Sequence, residues 1–117
     1  MSLNYVRDKL ALAVQCLDSK EGTLQERLGE AAMSCHILVA PPQLDDAFPS
    51  AGLKARYRSW WLAMTSKTAE DDEGPLQATI DSMTDETAST LAGEIRDIFN
   101  EVDQVYVEQF GPARIYH

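Results

Sequence analysis

The sequence predicts an all-α fold in which four main helices and one short helix pack as a bundle. Three observations predict it. Apolar residues recur every three or four positions in nearly every segment, no segment shows the alternation of a half-buried strand, and Gly or Pro residues separate the periodic segments. The chain has 117 residues, 44% of them hydrophobic and 25% charged, which is typical of one globular domain. We therefore interpret residues 1–117 as a single helical-bundle domain.

The first helix is predicted from about Leu3 to Ser19, with Ser2 as its N-cap. Gly22 follows it and tolerates the positive φ at which helices commonly end. The apolar stripe has 3-4-3-4 spacing and consists of Leu3, Val6, Leu10, Ala13 and Leu17.

The second helix begins after Thr23, which forms a predicted capping box with Glu26. Residues 31–39 contain no residue that is formally charged at neutral pH, so this helix is expected to be the most enclosed one. Pro41-Pro42 ends it because neither proline donates an amide proton. Its stripe comprises Leu24, Leu28, Ala31, Cys35 and Leu38.

The third helix is predicted to start near Pro49 or Ser50, after a linker that spans residues 43–50. Its inward stripe contains Leu53, Tyr57, Trp60 and Met64. An acidic, solvated loop is expected over residues 66–74. Pro75 then suits the first position of a short helix that carries Leu76, Ile80 and Met83.

The last helix has the most regular pattern. Thr84 is the expected N-cap, and Asp85 and Glu86 place negative charge at the positive end of the helix dipole. The helix should run for about 25 residues before Gly111-Pro112 ends it. Its stripe consists of Ala88, Leu91, Ile95, Ile98, Val102 and Val105.

The net charge of −9 is confined to the second half of the chain. Residues 1–59 contain seven basic and seven acidic residues, whereas residues 60–117 contain three basic and twelve acidic ones. A negative field repels nucleic-acid phosphate and anionic lipid, so neither nucleic acid nor a membrane is an expected partner. The negative field favours a partner with a basic surface. Alternatively, the acidic residues only keep the protein soluble.

The sequence contains no pattern that indicates catalysis, a cofactor or a metal. His36 and His117 are the only histidines, and no second ligand lies three or four residues from either on the same helix. Cys16 and Cys35 favour a reducing, cytoplasmic setting, and the sequence leaves open whether they are free. No apolar run approaches the ~18 residues that a membrane span needs. We therefore expect a protein that is not an enzyme.

One flank of the third helix is the favoured interaction site. On a helical wheel Lys54, Arg58 and Leu62 lie along one side and Trp61 borders them. An aromatic side chain beside cations is typical of an interface hot spot. In the alternative interpretation, Trp61 packs under the linker before the third helix and the cations stack over it.

The last helix offers a second candidate, an acidic surface that could meet a basic partner. The alternative is ordinary solubility. Four of the candidate residues, Glu94, Asp97, Glu101 and Glu108, fall outside the apolar stripe and are expected to be solvated. The full candidate set is Glu94, Asp97, Glu101, Asp103 and Glu108.

The third candidate surface is an apolar face that could form a homodimer. Tyr5, Leu12 and Cys16 form a minor apolar stripe on the first helix, which Met33 and Ile37 of the second helix extend. Surplus apolar surface of this kind is used by twofold dimers. Alternatively, the bundle itself wraps the first helix on two sides.

Several segments carry a resemblance to known proteins. They are TLQERL at residues 23–28, Phe48-Pro49, DEGPLQATI at residues 72–80 and MTDE at residues 83–86. Together they resemble small, acidic, all-helical bacterial proteins that have no assigned activity. The resemblance implies a bacterial, cytoplasmic source and transfers no catalytic or binding residue.

Three functions are compatible with these observations. The first is a small non-catalytic protein-binding or accessory module that acts through its helix surfaces. The second is an acidic inhibitor or immunity-type protein that occludes a basic partner with the last helix. The third is a bundle that binds an apolar ligand in a cavity near Tyr57 and Trp60.

Overall fold

The computed structural model describes residues 3–19, 21–39, 48–67 and 74–111. Within these ranges it contains five α-helices, one 3-10 turn and no β-strand, which confirms the all-α prediction for them. The elements are α1 (Leu3–Leu17), α2 (Leu24–Cys35) with the 3-10 turn His36–Val39 directly after it, α3 (Ala51–Met64), α4 (Gly74–Ser82) and α5 (Asp85–Phe110).

The α1–α2 connection follows the predicted signals. Gly22 has a φ of 77°, and both hydrogen bonds of the capping box between Thr23 and Glu26 are present. α1 ends at Leu17 rather than at the expected Ser19, because the Arg27 guanidinium donates to the Leu17 carbonyl over 2.7 Å and caps the helix there. The predicted N-cap, Ser2, lies outside the described residues.

The end of α2 differs from the expectation of one helix through Leu38. The α-helix stops at Cys35, and the chain continues as the 3-10 turn. The Tyr57 hydroxyl donates to the Cys35 carbonyl over 2.7 Å. In a continuing α-helix that carbonyl would accept from residue 39. The tighter turn still leaves Leu38 fully buried, so the stripe is preserved while the hydrogen-bonding pattern changes.

The inward face of α3 is aromatic and buried as predicted. Phe48 stacks against Tyr57 with ring centroids 5.3 Å apart, and Tyr57 lies 6.0 Å from Trp60. The Trp60 indole donates to the Leu91 carbonyl of α5 over 3.0 Å. Both polar aromatic atoms are thus satisfied by backbone carbonyls of other helices, as burial requires. Leu53 and Met64 complete this face.

The short helix α4 approaches α2 closely at Gly29. A Cβ at this position would lie 2.5 Å from Ile80 Cδ1, so only glycine accepts the approach without displacing that side chain. Buried Thr79 fixes the start of α4, because its hydroxyl donates to the Pro75 carbonyl and accepts from the Lys67 amide. Most of the predicted acidic loop before α4 lies outside the described residues.

α5 begins and ends as expected. The Thr84 hydroxyl accepts from the Thr87 amide, and Gly111 follows the helix with a φ of 75°. Leu91 and Val105 belong to the predicted stripe but are only half-buried, because both line clefts between α3 and α5. The buried residues of the helix are Ala88, Ala92, Ile95, Ile98 and Val102.

The Tyr57 hydrogen bond predicts a specific stability loss. Tyr57→Phe keeps the ring stacking but leaves a buried carbonyl without its tertiary donor, so the free energy of unfolding should fall by about 1–2 kcal/mol. Urea denaturation measures it. Tyr106→Phe is the matched control, since the Tyr106 ring contacts Arg7 and Phe110 and its hydroxyl has no hydrogen-bond partner among the described residues. Equal losses of unfolding free energy in Tyr57→Phe and Tyr106→Phe would contradict the stabilising role of the Tyr57 hydrogen bond.

Candidate interaction surfaces

The predicted interaction residues of α3 lie together on one flank of the helix; we call Lys54, Arg58, Trp61 and Leu62 the α3 patch. Arg58 is exposed and Leu62 is 61% exposed. Trp61 is half-buried and packs against the core. The Ser50 hydroxyl accepts from the Leu53 amide, which fixes where the helix starts. The alternative, in which Trp61 packs under the preceding linker, depends mainly on residues outside the described ranges.

Arg58 differs from the other arginines that the structure describes. Among the described residues, no carboxylate or carbonyl accepts from Arg58, whereas each of its counterparts has an acceptor within the chain. Those counterparts are Arg7, Arg27, Arg56 and Arg96. The α3 patch therefore presents an unpaired guanidinium four residues from an exposed leucine.

The predicted acidic surface does not form one free surface. Glu94 and Glu101 both contact Arg56 of α3. Asp103 accepts from Arg7 of α1 over 2.6 Å. Asp97 and Glu108 are exposed, and no ion pair involves either of them within the described residues. Of the four carboxylates expected to be solvated, Asp97, Glu101 and Glu108 are exposed, and Glu94 is half-buried.

The ion pairs connect α5 to its neighbours. Arg56 joins it to α3, and Arg7, which also stacks over the Tyr106 ring at 4.6 Å, joins it to α1. Arg96 of α5 donates to Asp18, just after α1, over 2.6 Å. This hydrogen bond lowers the pKa of Asp18 below its ordinary value. No sequence pattern indicated these pairs, because their members lie far apart in the chain.

The α1–α2 face that suggested a homodimer is only partly exposed. Leu12 is 44% exposed and Met33 58%. Tyr5, Cys16 and Ile37 are half-buried and pack against the core. The surplus apolar surface is therefore smaller than the helical wheel indicated. A cleft of about 600 Å³ lies beside it, between α2 and α4.

The interior around Tyr57 is filled by protein side chains. Tyr57 is fully buried and Trp60 is 2% exposed, and each contacts another aromatic ring. Trp60 also borders a cleft of about 340 Å³ between α3 and α5. The space available to a ligand near these residues is therefore a surface cleft beside Trp60.

The described residues offer little reactive chemistry. No group of three His, Cys, Asp or Glu side chains among them is placed to hold a metal ion. Cys16 and Cys35 are both free thiols, which answers the question that the sequence left open. Burial raises the pKa of the Cys35 thiol to about 11 and that of the Tyr57 hydroxyl well above its ordinary value.

None of the helices in the described ranges has the length and apolarity to span a bilayer.

Comparisons with known proteins add no further constraint. No protein-family model matches the chain, and neither a curated protein sequence nor a solved structure is significantly similar to it.

The Asp18–Arg96 pair predicts a pH-dependent contribution to stability. Because the pKa of Asp18 is lower in the folded state than in the unfolded state, the contribution is present above the unfolded-state pKa and is lost as the pH falls through the folded-state pKa. Asp18→Asn should therefore lower the thermal midpoint at neutral pH and leave it unchanged in strong acid. Asp97→Asn, which breaks no ion pair of the described residues, should have no such effect. A midpoint difference independent of pH would contradict the prediction.

The burial of Cys35 predicts selective thiol labelling. At pH 8 a thiol with a pKa of about 11 is thiolate in only about one molecule in a thousand. Iodoacetamide should therefore modify half-buried Cys16 first and Cys35 only after denaturation, as measured by peptide mass spectrometry. Labelling of Cys35 as fast as that of Cys16 in the native protein would contradict it.

Proposed function

We propose that this bundle of four main helices and one short helix is a non-catalytic protein-binding module that acts through the α3 patch. The observation that carries the proposal is the pairing of Arg58, which has no acceptor among the described residues, with Leu62, which is 61% exposed. In a protein that pairs its other described arginines internally, this guanidinium remains available to a partner.

The chemistry of the patch specifies the kind of partner. A guanidinium forms bidentate hydrogen bonds with carboxylates, which an ammonium group does not. Leu62 supplies apolar area, and Trp61 is already held by the core, so little side-chain entropy is lost when its remaining surface is covered. The expected partner surface is therefore apolar at its centre and carries at least one carboxylate.

The alternatives receive less support. An acidic inhibitor needs free carboxylates on α5, but Glu94, Glu101 and Asp103 are paired with arginines. An apolar-ligand bundle needs an enclosed space, but Tyr57 and Trp60 fill the interior beside α3.

Quantitative affinity purification from the native host tests the proposal. Arg58→Glu and Leu62→Ser should each reduce recovery of the same partner by at least about tenfold, which is the range of hot-spot truncations. Both positions are exposed, so circular dichroism and thermal midpoints should remain those of the native chain.

Two matched controls separate the patch from general surface effects. Lys67→Glu makes the same charge change as Arg58→Glu at an exposed site beyond α3. Met33→Ser removes an apolar side chain that is 58% exposed on α2. Both controls should retain the partner. The proposal is wrong if no protein is lost specifically with the two patch variants.

A further inference from the structure

A cleft of about 600 Å³ lies over the exposed face of α2, and we call it the α2–α4 cleft. Its base is the contact between buried Gly29 and Ile80, where a Cβ on the glycine would lie 2.5 Å from Ile80 Cδ1. Leu76 of α4 and Cys16 of α1 line the cleft from the neighbouring helices. A cleft of this volume is in the range of small-molecule binding sites.

The apolar lining of the cleft contains two sulfur atoms. Met33 is 58% exposed, and Cys16 is a half-buried free thiol. The Cys16 sulfur lies 3.4 Å from the Ser34 hydroxyl, which donates to the Glu30 carbonyl over 3.0 Å. The hydroxyl proton is thus already used within the chain. Because a thioether contacts aromatic rings favourably, an aromatic group fits between Met33 and Leu76.

The charged lining of the cleft is acidic. Glu26, Glu30 and Met33 are spaced i, i+4 and i+7, so both carboxylates share the exposed face of α2 with the thioether. Glu26 uses one oxygen to accept from the Thr23 amide over 2.8 Å. Among the described residues, no Lys or Arg lines the cleft, and neither carboxylate has a cationic partner. Unlike the paired carboxylates of α5, Glu30 is therefore available to a cation.

We propose that the α2–α4 cleft binds a small aromatic molecule that carries a protonated amine. The aromatic ring of this ligand covers Met33 and Leu76. Its ammonium group pairs with Glu30, and Glu26, one helical turn away, adds to the negative potential. The site is separate from the α3 patch, on which the proposed function rests. It gives the protein a ligand site on α2 in addition to its protein-binding surface on α3.

Tryptamine is the probe, because it combines an indole ring with an amine that is protonated at neutral pH. It is titrated into the isotopically labelled full chain and followed by NMR. The dissociation constant should be about 1 mM or lower, and the amides that shift should lie in residues 26–34 and 76–80. Indole-3-propionate has the same ring with a carboxylate in place of the amine, and it should bind at least about tenfold more weakly.

A first pair of variants locates the site. Met33→Lys places a competing ammonium group three residues from Glu30 and should weaken tryptamine binding at least about tenfold. Leu62→Lys makes the comparable change at a similarly exposed residue of the α3 patch and should leave the tryptamine affinity unchanged. The cleft and the proposed function are therefore tested separately.

A second pair of variants tests the charge alone. Glu30→Gln should weaken tryptamine binding about threefold or more, and the difference should shrink as added salt screens the pair. Glu108→Gln makes the same change at an exposed α5 residue outside the cleft and should leave the affinity unchanged. All four substituted positions are exposed, so thermal midpoints should remain those of the native chain.

Any of four results would overturn the ligand proposal. The first is equal binding of tryptamine and indole-3-propionate, because charge then does not select the ligand. The second is native affinity in Met33→Lys, because the probe then binds elsewhere. The third is equal weakening by Glu30→Gln and Glu108→Gln, which means that the probe responds only to net charge. The fourth is self-association of the chain, measured by sedimentation, that Met33→Lys abolishes, since a second copy is then the occupant.

Discussion

The two buried aromatic residues of α3 set the arrangement on which the rest of the structure depends. The Tyr57 hydroxyl binds the Cys35 carbonyl at the end of α2, and the Trp60 indole binds the Leu91 carbonyl of α5. A buried polar atom must reach its partner, so these two bonds fix both the position and the rotation of α3. That rotation directs Arg58 and Leu62 outward on one flank and brings Arg56 to Glu94 and Glu101 of α5 on the other.

Charge in this protein is organised by pairing rather than by sequence region. The sequence places all of its net charge in the second half, yet much of the acidic row on α5 is matched by arginines from the first half. Exposed ion pairs of this kind contribute little stability individually. The pairing leaves only some of the described charges without a partner in the chain, Arg58 and Glu108 among them.

Local sequence signals predicted the elements well because the interactions that define them are local. The Thr23 and Thr84 caps and the Gly22 and Gly111 ends follow from contacts within a few residues. The inward stripe of α3 could be predicted because apolar spacing is itself a local pattern. The α3 patch could also be predicted, since a helical wheel places Arg58 and Leu62 on one side. The wheel could not show that Arg58 would lack an acceptor among the described residues.

The sequence by itself determined the helical class, the helix limits to within a few residues and the inward faces, because periodicity and capping act over one or two turns. Only the tertiary structure decided where α2 changes to a 3-10 turn and which carboxylates are paired. These features depend on residues separated by 22 to 96 positions in the chain. Such separations are closed by packing, and no local pattern encodes the rotation at which two helices meet.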